Sequence, residues 1–154
     1  MIKTFYFLAL LFTALTLAPS MAHLLELPNK ISLGRDDYLT VQQIYSGWAM
    51  LGIVIFAALL SSLILAILMR RDGWAFALVV IAFLCLAGGQ VLFWTFTFPA
   101  NAVTQNWTAL PENWMELRRN WEYSHAAGAL LNLAAMVALI ISVLSARSRG
   151  LNTQ

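Results

Sequence analysis

The sequence predicts an all-α protein, a bundle of four transmembrane helices with both termini cytoplasmic. Three observations predict it. Of 154 residues, 61% are hydrophobic and only 10% charged, where a soluble domain carries about a quarter. The apolar residues gather into four stretches, 2–22, 47–69, 74–98 and 126–144, each near the roughly 20 residues a helix needs to cross a bilayer core. The basic residues divide unevenly between the ends of those stretches. Lys3, Arg70, Arg71, Arg147 and Arg149, with Asp72, give one side net +4, against net −2 on the other, and the basic side stays in the cytoplasm.

The elements follow in order. The first helix is expected over 2–24. Its rival reading is a cleaved leader: Lys3, an apolar core and Ser20-Met21-Ala22 also fit a small-x-small cleavage site, which would leave His23 N-terminal. The retained helix is the expectation, kinked at Pro19. A polar loop carrying Pro28, Gly34 and Asp36-Asp37 leads into a second helix over 39–69. Arg70-Arg71-Asp72-Gly73 is so short a turn that the second and third helices must be antiparallel neighbours. The third is expected over 74–98, ended by Pro99. The fourth is one long helix over 111–146, opened by Pro111 with Glu112 and Glu116 near its positive end. Trp48, Trp94, Trp107, Trp114 and Trp121 fall near the outer boundary and Trp74 near the inner one, as interfacial aromatics do. The chain 1–154 reads as one integral membrane domain, with the lipid bilayer of a bacterial inner membrane as its setting.

Composition also excludes classes. A net charge of +2 without a basic cluster argues against nucleic acid as a partner. The single Cys85 allows neither an intrachain disulfide nor a cysteine metal motif, and it reads as a small apolar residue. There is no phosphate loop, dinucleotide fingerprint or nucleophile elbow. No broken helix pair lines a pathway, which argues against a transporter. A homo-oligomer and a subunit of a larger membrane complex are both compatible with the sequence. Asn106-Trp107-Thr108 matches a glycosylation sequon, a short and common pattern.

The chemistry concentrates in two mirrored pairs. His23 and Glu26 end the first helix; Glu122 and His125 stand on the fourth. Each pair is spaced i, i+3 and so shares a helix face. The two helices run in opposite directions, which places both glutamates outermost and both histidines about one turn deeper. If the helices are adjacent, His23, Glu26, Glu122 and His125 form a two-histidine, two-carboxylate set, suited to one ion of iron, copper or zinc. A haem is the next reading, with His23 and His125 as axial ligands and Arg118 or Lys30 pairing with its propionates. The plain reading is two interfacial histidines bonded to a carboxylate or carbonyl.

Arg118, Glu122, His125 and Asn132 lie on one side of the fourth helix, and intramembrane polar groups usually face the bundle interior. Asn132 is expected to bond Gln90. Arg118 and Glu122 are expected to pair at i, i+4, with Arg118 orienting Glu122 if that carboxylate is a ligand. Trp107, Trp114 and Trp121 read either as walls of a pocket for an aromatic substrate or as interfacial belt residues. Gly47, Gly88, Gly89 and Gly128 are expected to permit close helix packing.

The run Phe98-Pro-Ala-Asn101-Ala-Val-Thr104-Gln-Asn-Trp107, then Trp114, Leu117-Arg118 and Trp121-Glu-Tyr-Ser-His125, resembles the signature of the anthrone-oxygenase-like family of small four-helix membrane proteins. Ala22-His23-Leu-Leu-Glu26-Leu-Pro28-Asn-Lys30 is similar to that family's first-helix segment. The resemblance covers nearly the whole chain and is strongest over 98–128. It implies oxidation of a polycyclic aromatic at an activated carbon by dioxygen. That chemistry runs without a cofactor when His125 or Glu122 acts as base and Asn101 or Trp107 positions the substrate. Alternatively, a metal at the four mirrored residues activates oxygen. The expected function is therefore a membrane oxidoreductase with a metal site at the outer face, acting on a lipophilic aromatic or quinone-like substrate. The competing expectation is a non-catalytic haem- or metal-binding membrane protein or complex subunit.

Overall fold

The computed structural model describes residues 1–151, with side chains through Ser145. Arg147 and Arg149, which contribute to the charge asymmetry, lie outside the residues whose side chains are described. All regular structure among the described residues is helical. Helix α1 is Ile2–Lys30, α2 is Arg35–Gln42, α3 is Leu51–Met69, α4 is Gly73–Leu92, α5 is Phe98–Val103 and α6 is Trp114–Leu151. A π-helical turn, Phe93–Thr97, joins α4 to α5 without a break. Four helical segments are long and apolar enough to cross a membrane: Ile2–Lys30, Trp48–Met69, Gly73–Val103 and Trp114–Ser145.

The bundle closes as a ring, with α1 against α3 and α6, and α4 against α3 and α6. The adjacency of α1 and α6 is fixed by three polar rungs. Near one end, the Tyr6 and Ser142 hydroxyls are 2.6 Å apart. Ser142 spends its own proton on the Ala75 carbonyl at 3.0 Å, so Tyr6 is the donor. In the middle, Asn132 Nδ2 donates to Ser20 Oγ at 2.8 Å, not to Gln90. At the far end, Lys30 Nζ stands 3.2 Å from Glu122 Oε1. Pairings of 6 with 142, 20 with 132 and 30 with 122 set the two helices antiparallel. Between the rungs the core is apolar and small-residue-rich, with Ala9, Ala58, Ala66, Ala75, Ala82 and Ala135 all buried.

Element boundaries differ from expectation in four places, each for a local reason. Helix α1 passes Pro28 and runs to Lys30, because Lys30 is buried among partners from other elements, and that packing outweighs the missing amide. The expected second helix over 39–69 is broken. Helix α2 starts earlier, with Asp36 and Asp37 in its first turn, favourable at a positive helix end. Gly47 at φ 86° then turns the chain before α3 begins at Leu51. Pro99 does not end the third span: it lies in the first turn of α5, directly after the π turn. A π turn widens the ladder by one residue, which accommodates the ring where a regular α-helix would clash. The fourth span starts at Trp114 rather than 111, because Pro111 belongs to a preceding turn whose carbonyl accepts from the Trp114 amide at 3.1 Å.

Candidate functional site

A cavity of about 870 Å³ opens within the loop end of the bundle, inside the range of ligand sites of ~300–1,000 Å³. Residues from all four spans and from the loops line it, among them His23, Gln42, Tyr45, Asn101, Trp121 and His125.

The mirrored histidines meet on its wall. The rings of His23 and His125 stack with centroids 4.2 Å apart and planes inclined 29°. Trp121 packs on His125 at 4.2 Å and edge-on to His23 at 5.1 Å. Tyr45 and Trp48 close around His23 at 4.7 and 5.6 Å. The i, i+3 spacing turns each histidine inward from its helix, and the antiparallel register of α1 and α6 brings the two to one depth.

The mirrored glutamates go elsewhere. Glu122 is 0% exposed, and its Oε1 accepts from Lys30 Nζ at 3.2 Å and from the Tyr38 hydroxyl at 2.9 Å. Glu26 accepts a short hydrogen bond from the Tyr45 hydroxyl and stands 3.9 Å from Lys30 Nζ. Lys30 also donates to the Tyr45 oxygen at 2.8 Å and lies over the Tyr45 and Trp121 rings at 4.3 and 4.5 Å from their centroids. Gln42 donates to the Tyr38 oxygen at 2.5 Å. Neither glutamate lines the cavity. Among the described residues, no group of three or more His, Cys, Asp or Glu is arranged to hold a metal ion. The four expected ligands therefore split into a ring pair and two carboxylates held by a buried lysine, and as they stand they do not fit a metal ion. They do not fit a haem either: rings in face contact leave no plane between them for a macrocycle, and axial ligation needs each ring edge-on to the iron. The expected roles of Glu122 as base and ligand and of Glu26 as ligand yield, in this geometry, to charge pairing with Lys30.

Arg118 is also redirected. It donates to the Leu33 carbonyl at 2.7 Å and lies over the Trp114 and Tyr38 rings. It thus clamps the loop between α1 and α2 onto α6, where a pairing with Glu122 was expected.

Asn101, Trp107 and Trp121 do come together. Asn101 Oδ1 accepts from the indole N–H of Trp107 at 3.0 Å and of Trp121 at 2.8 Å. Two donors on one atom identify it as the oxygen, and Nδ2 is the remaining polar group of Asn101 on the cavity wall. Both indoles are buried, so these tryptophans are walls of the site and not belt residues. Trp107 reaches this position through an uncommon turn: Gln105, Asn106 and Trp107 all have positive φ, at 51°, 57° and 63°. Thr104 holds the turn. Its hydroxyl accepts from the Trp107 amide at 3.0 Å, and its carbonyl accepts from the Thr108 and Ala109 amides.

Three buried polar atoms of the wall, Thr16 Oγ1, His23 Nδ1 and Gln42 Oε1, have no hydrogen-bond partner within the protein. Buried polar groups are almost always bonded, so these three are exceptions beside the cavity. Gly128 also lines the cavity, and a Cβ there would meet nothing within 4 Å; its place is cavity wall and not a close helix crossing. Gly88 does sit at a closer approach, with Leu131 at 3.4 Å from a built Cβ.

The sequence points to Lys30 only as a partner for haem propionates, and it does not single out Tyr38, Gln42 or Tyr45. The three are spaced by 4 and 3, one helix face, but Tyr38 falls in the expected polar loop and Gln42 and Tyr45 in the expected helix over 39–69, so the stripe crosses an expected boundary. Burial pushes the hydroxyls of Tyr38 and Tyr45 well above the ordinary phenol range, and the neighbouring carboxylates, Glu122 and Glu26, push them further. Both tyrosines therefore stay protonated as donors. Comparison with family models, with curated proteins and with solved structures finds no match for this chain.

Proposed function

We propose that the protein is a membrane oxidoreductase of the oxygenase type, which takes a flat lipophilic aromatic or quinone-like molecule from the bilayer into the cavity beside His23 and His125. One observation carries this reading: a stacked histidine pair on the wall of a ligand-sized cavity, with Gln42, Asn101 and Ser124 among its other polar lining residues. The resemblance of residues 98–125 to the anthrone-oxygenase-like family supports it from the sequence side.

In this reading the substrate has an acidic C–H flanked by a carbonyl-bearing ring. His125, whose ring lies on the cavity wall in face contact with His23, takes that proton. The carbanion is delocalised into an oxyanion, which Asn101 Nδ2 receives as donor; such preorganised donors act where charge develops. The carbanion's electron pair forms a C–O bond to dioxygen, and the peroxide oxygen gains a proton. Loss of the second C–H proton with cleavage of the O–O bond releases water and leaves C=O. One dioxygen is consumed and one water released per methylene oxidised. No step is routed through a metal or haem, since the residues present do not fit one.

The test uses protein in mild detergent, an anthrone as probe, tryptophan quenching and an oxygen electrode. Saturable quenching with oxygen uptake is expected. His125→Ala should keep the quenching and lose roughly 10²-fold or more in uptake, the usual share of a general base. Saturable binding without uptake makes the protein a carrier, and no saturable binding ends the proposal.

We also place the loop end of the bundle outside and both termini in the cytoplasm of a bacterial inner membrane, on the charge asymmetry of the sequence. A cysteine at exposed Ser32, with Cys85 replaced, should react with an impermeant thiol reagent added from outside. Protection there, with labelling only after the membrane is opened, reverses the orientation.

A further inference from the structure

A second concavity, of about 400 Å³, lies on the flank of the bundle between α3 and α4. Phe56, Leu60, Leu63, Ala87, Gln90 and Trp94 are among its lining residues. Phe56, Leu60, Leu63 and Trp94 are exposed, so in a membrane this groove faces hydrocarbon. Helices α3 and α4 are joined by the shortest connection, yet they pack less closely than the other neighbouring pairs.

The groove adjoins the cavity. Phe56, Gln90 and Trp94 line both. Trp94 lies in the π turn that joins α4 to α5, the one place where the third span departs from regular helix. The two compartments differ in chemistry. The cavity wall carries His23, Gln42, Asn101, Ser124, His125 and Asn132. The groove is apolar apart from Gln90, which stands at the junction.

We infer that the ligand is an amphipathic lipid: a polar aromatic or quinone-type ring in the cavity, carrying a hydrocarbon tail that leaves past Phe56 and Trp94 and lies in the α3–α4 groove. This rests on the proposed reading of the cavity and deepens it. A tailed ring drawn fully into a closed cavity would need its tail to follow or to cross a polar wall. A side exit past Phe56 and Trp94 removes that cost, because the tail stays in an apolar surface while the ring reaches the histidines. The gain is access, not extra hydrophobic driving force, since lipid is as apolar as the groove.

The probes are a tailless benzoquinone and the same ring bearing a decyl chain, titrated by tryptophan quenching into the full chain in detergent. The wild type should bind both. Leu60→Trp, at an exposed groove position, should weaken the decyl compound about ten-fold, the scale on which overfilling a site acts, and leave the tailless ring unchanged. Ala87→Leu fills the groove from α4 and should do the same, which guards against an unfolded first variant. If the variants bind both compounds as the wild type does, or lose both equally while folded, the tail assignment is overturned and the cavity reading stands. If neither ring binds the wild type, both are overturned.

Discussion

Lys30 and Glu122 meet at 3.2 Å with 3% and 0% of their side chains exposed. Desolvating two charges costs several kcal/mol each, so such a pair is held by geometry and by further hydrogen bonds more than by attraction alone. Here those bonds come from two tyrosines. The Tyr38 and Tyr45 hydroxyls, raised above the ordinary value of 10.0 by burial and then by the adjacent carboxylates, bind their protons more tightly folded than unfolded. The stability they contribute is therefore intact below about pH 10 and lost as pH rises beyond it. Thermal melts in detergent across pH 8–12 should show Tm falling on the alkaline side. The Y38F/Y45F double variant should start lower at neutral pH and show a shallower alkaline fall; an equal fall in both proteins would mean that other groups cause it. At this scale the sequence was half legible. The i, i+3 spacing found which histidines would meet, because spacing fixes direction on a helix. It did not find where the glutamates would turn, because that depends on Lys30 and on tyrosines from a segment whose polar composition hides its inward face.

The segment from Phe93 to Trp107 combines a π turn, a short helix and three successive left-handed residues. Side chains with a Cβ cost roughly 1 kcal/mol or more each in that left-handed region, and the turn persists because Thr104 and Asn101 bind its amides. Gln105 is exposed, so Gln105→Gly removes strain without removing a buried group. It should raise stability by up to about 1 kcal/mol, read as a higher Tm. A lower Tm would mean that the glutamine side chain supports the turn. The four spans were legible because hydropathy and length report them directly. The continuation through Pro99 was not, since a proline signals a helix end unless a widened turn precedes it, and nothing in Phe-Trp-Thr-Phe-Thr announces one.

For the whole molecule, the question is how a four-helix bundle of this size keeps a large cavity. Small residues pack one half of the bundle tightly, and glycines and bulky aromatics frame the other half around open space. Gly128 tests that division. Alanine there meets nothing within 4 Å and removes the helix penalty of glycine, so Gly128→Ala should stabilise by about 0.5–1 kcal/mol. Gly128→Leu should keep a wild-type Tm and abolish quenching by the ring probes. A leucine variant that binds normally would move the site away from this wall.

The pairing of the first span with the last also has a consequence in time. Helix α1 is synthesised first, and Lys30 at its end waits for Glu122, which arrives only when the fourth span begins. Until then, among the described residues, Glu26 on its own helix is the other carboxylate within 4 Å of the folded position of its amine. A chain halted before α6 thus leaves a lysine at the membrane boundary without its final counter-charge. It also leaves the ring of helices unclosed, since α6 packs against both α1 and α4.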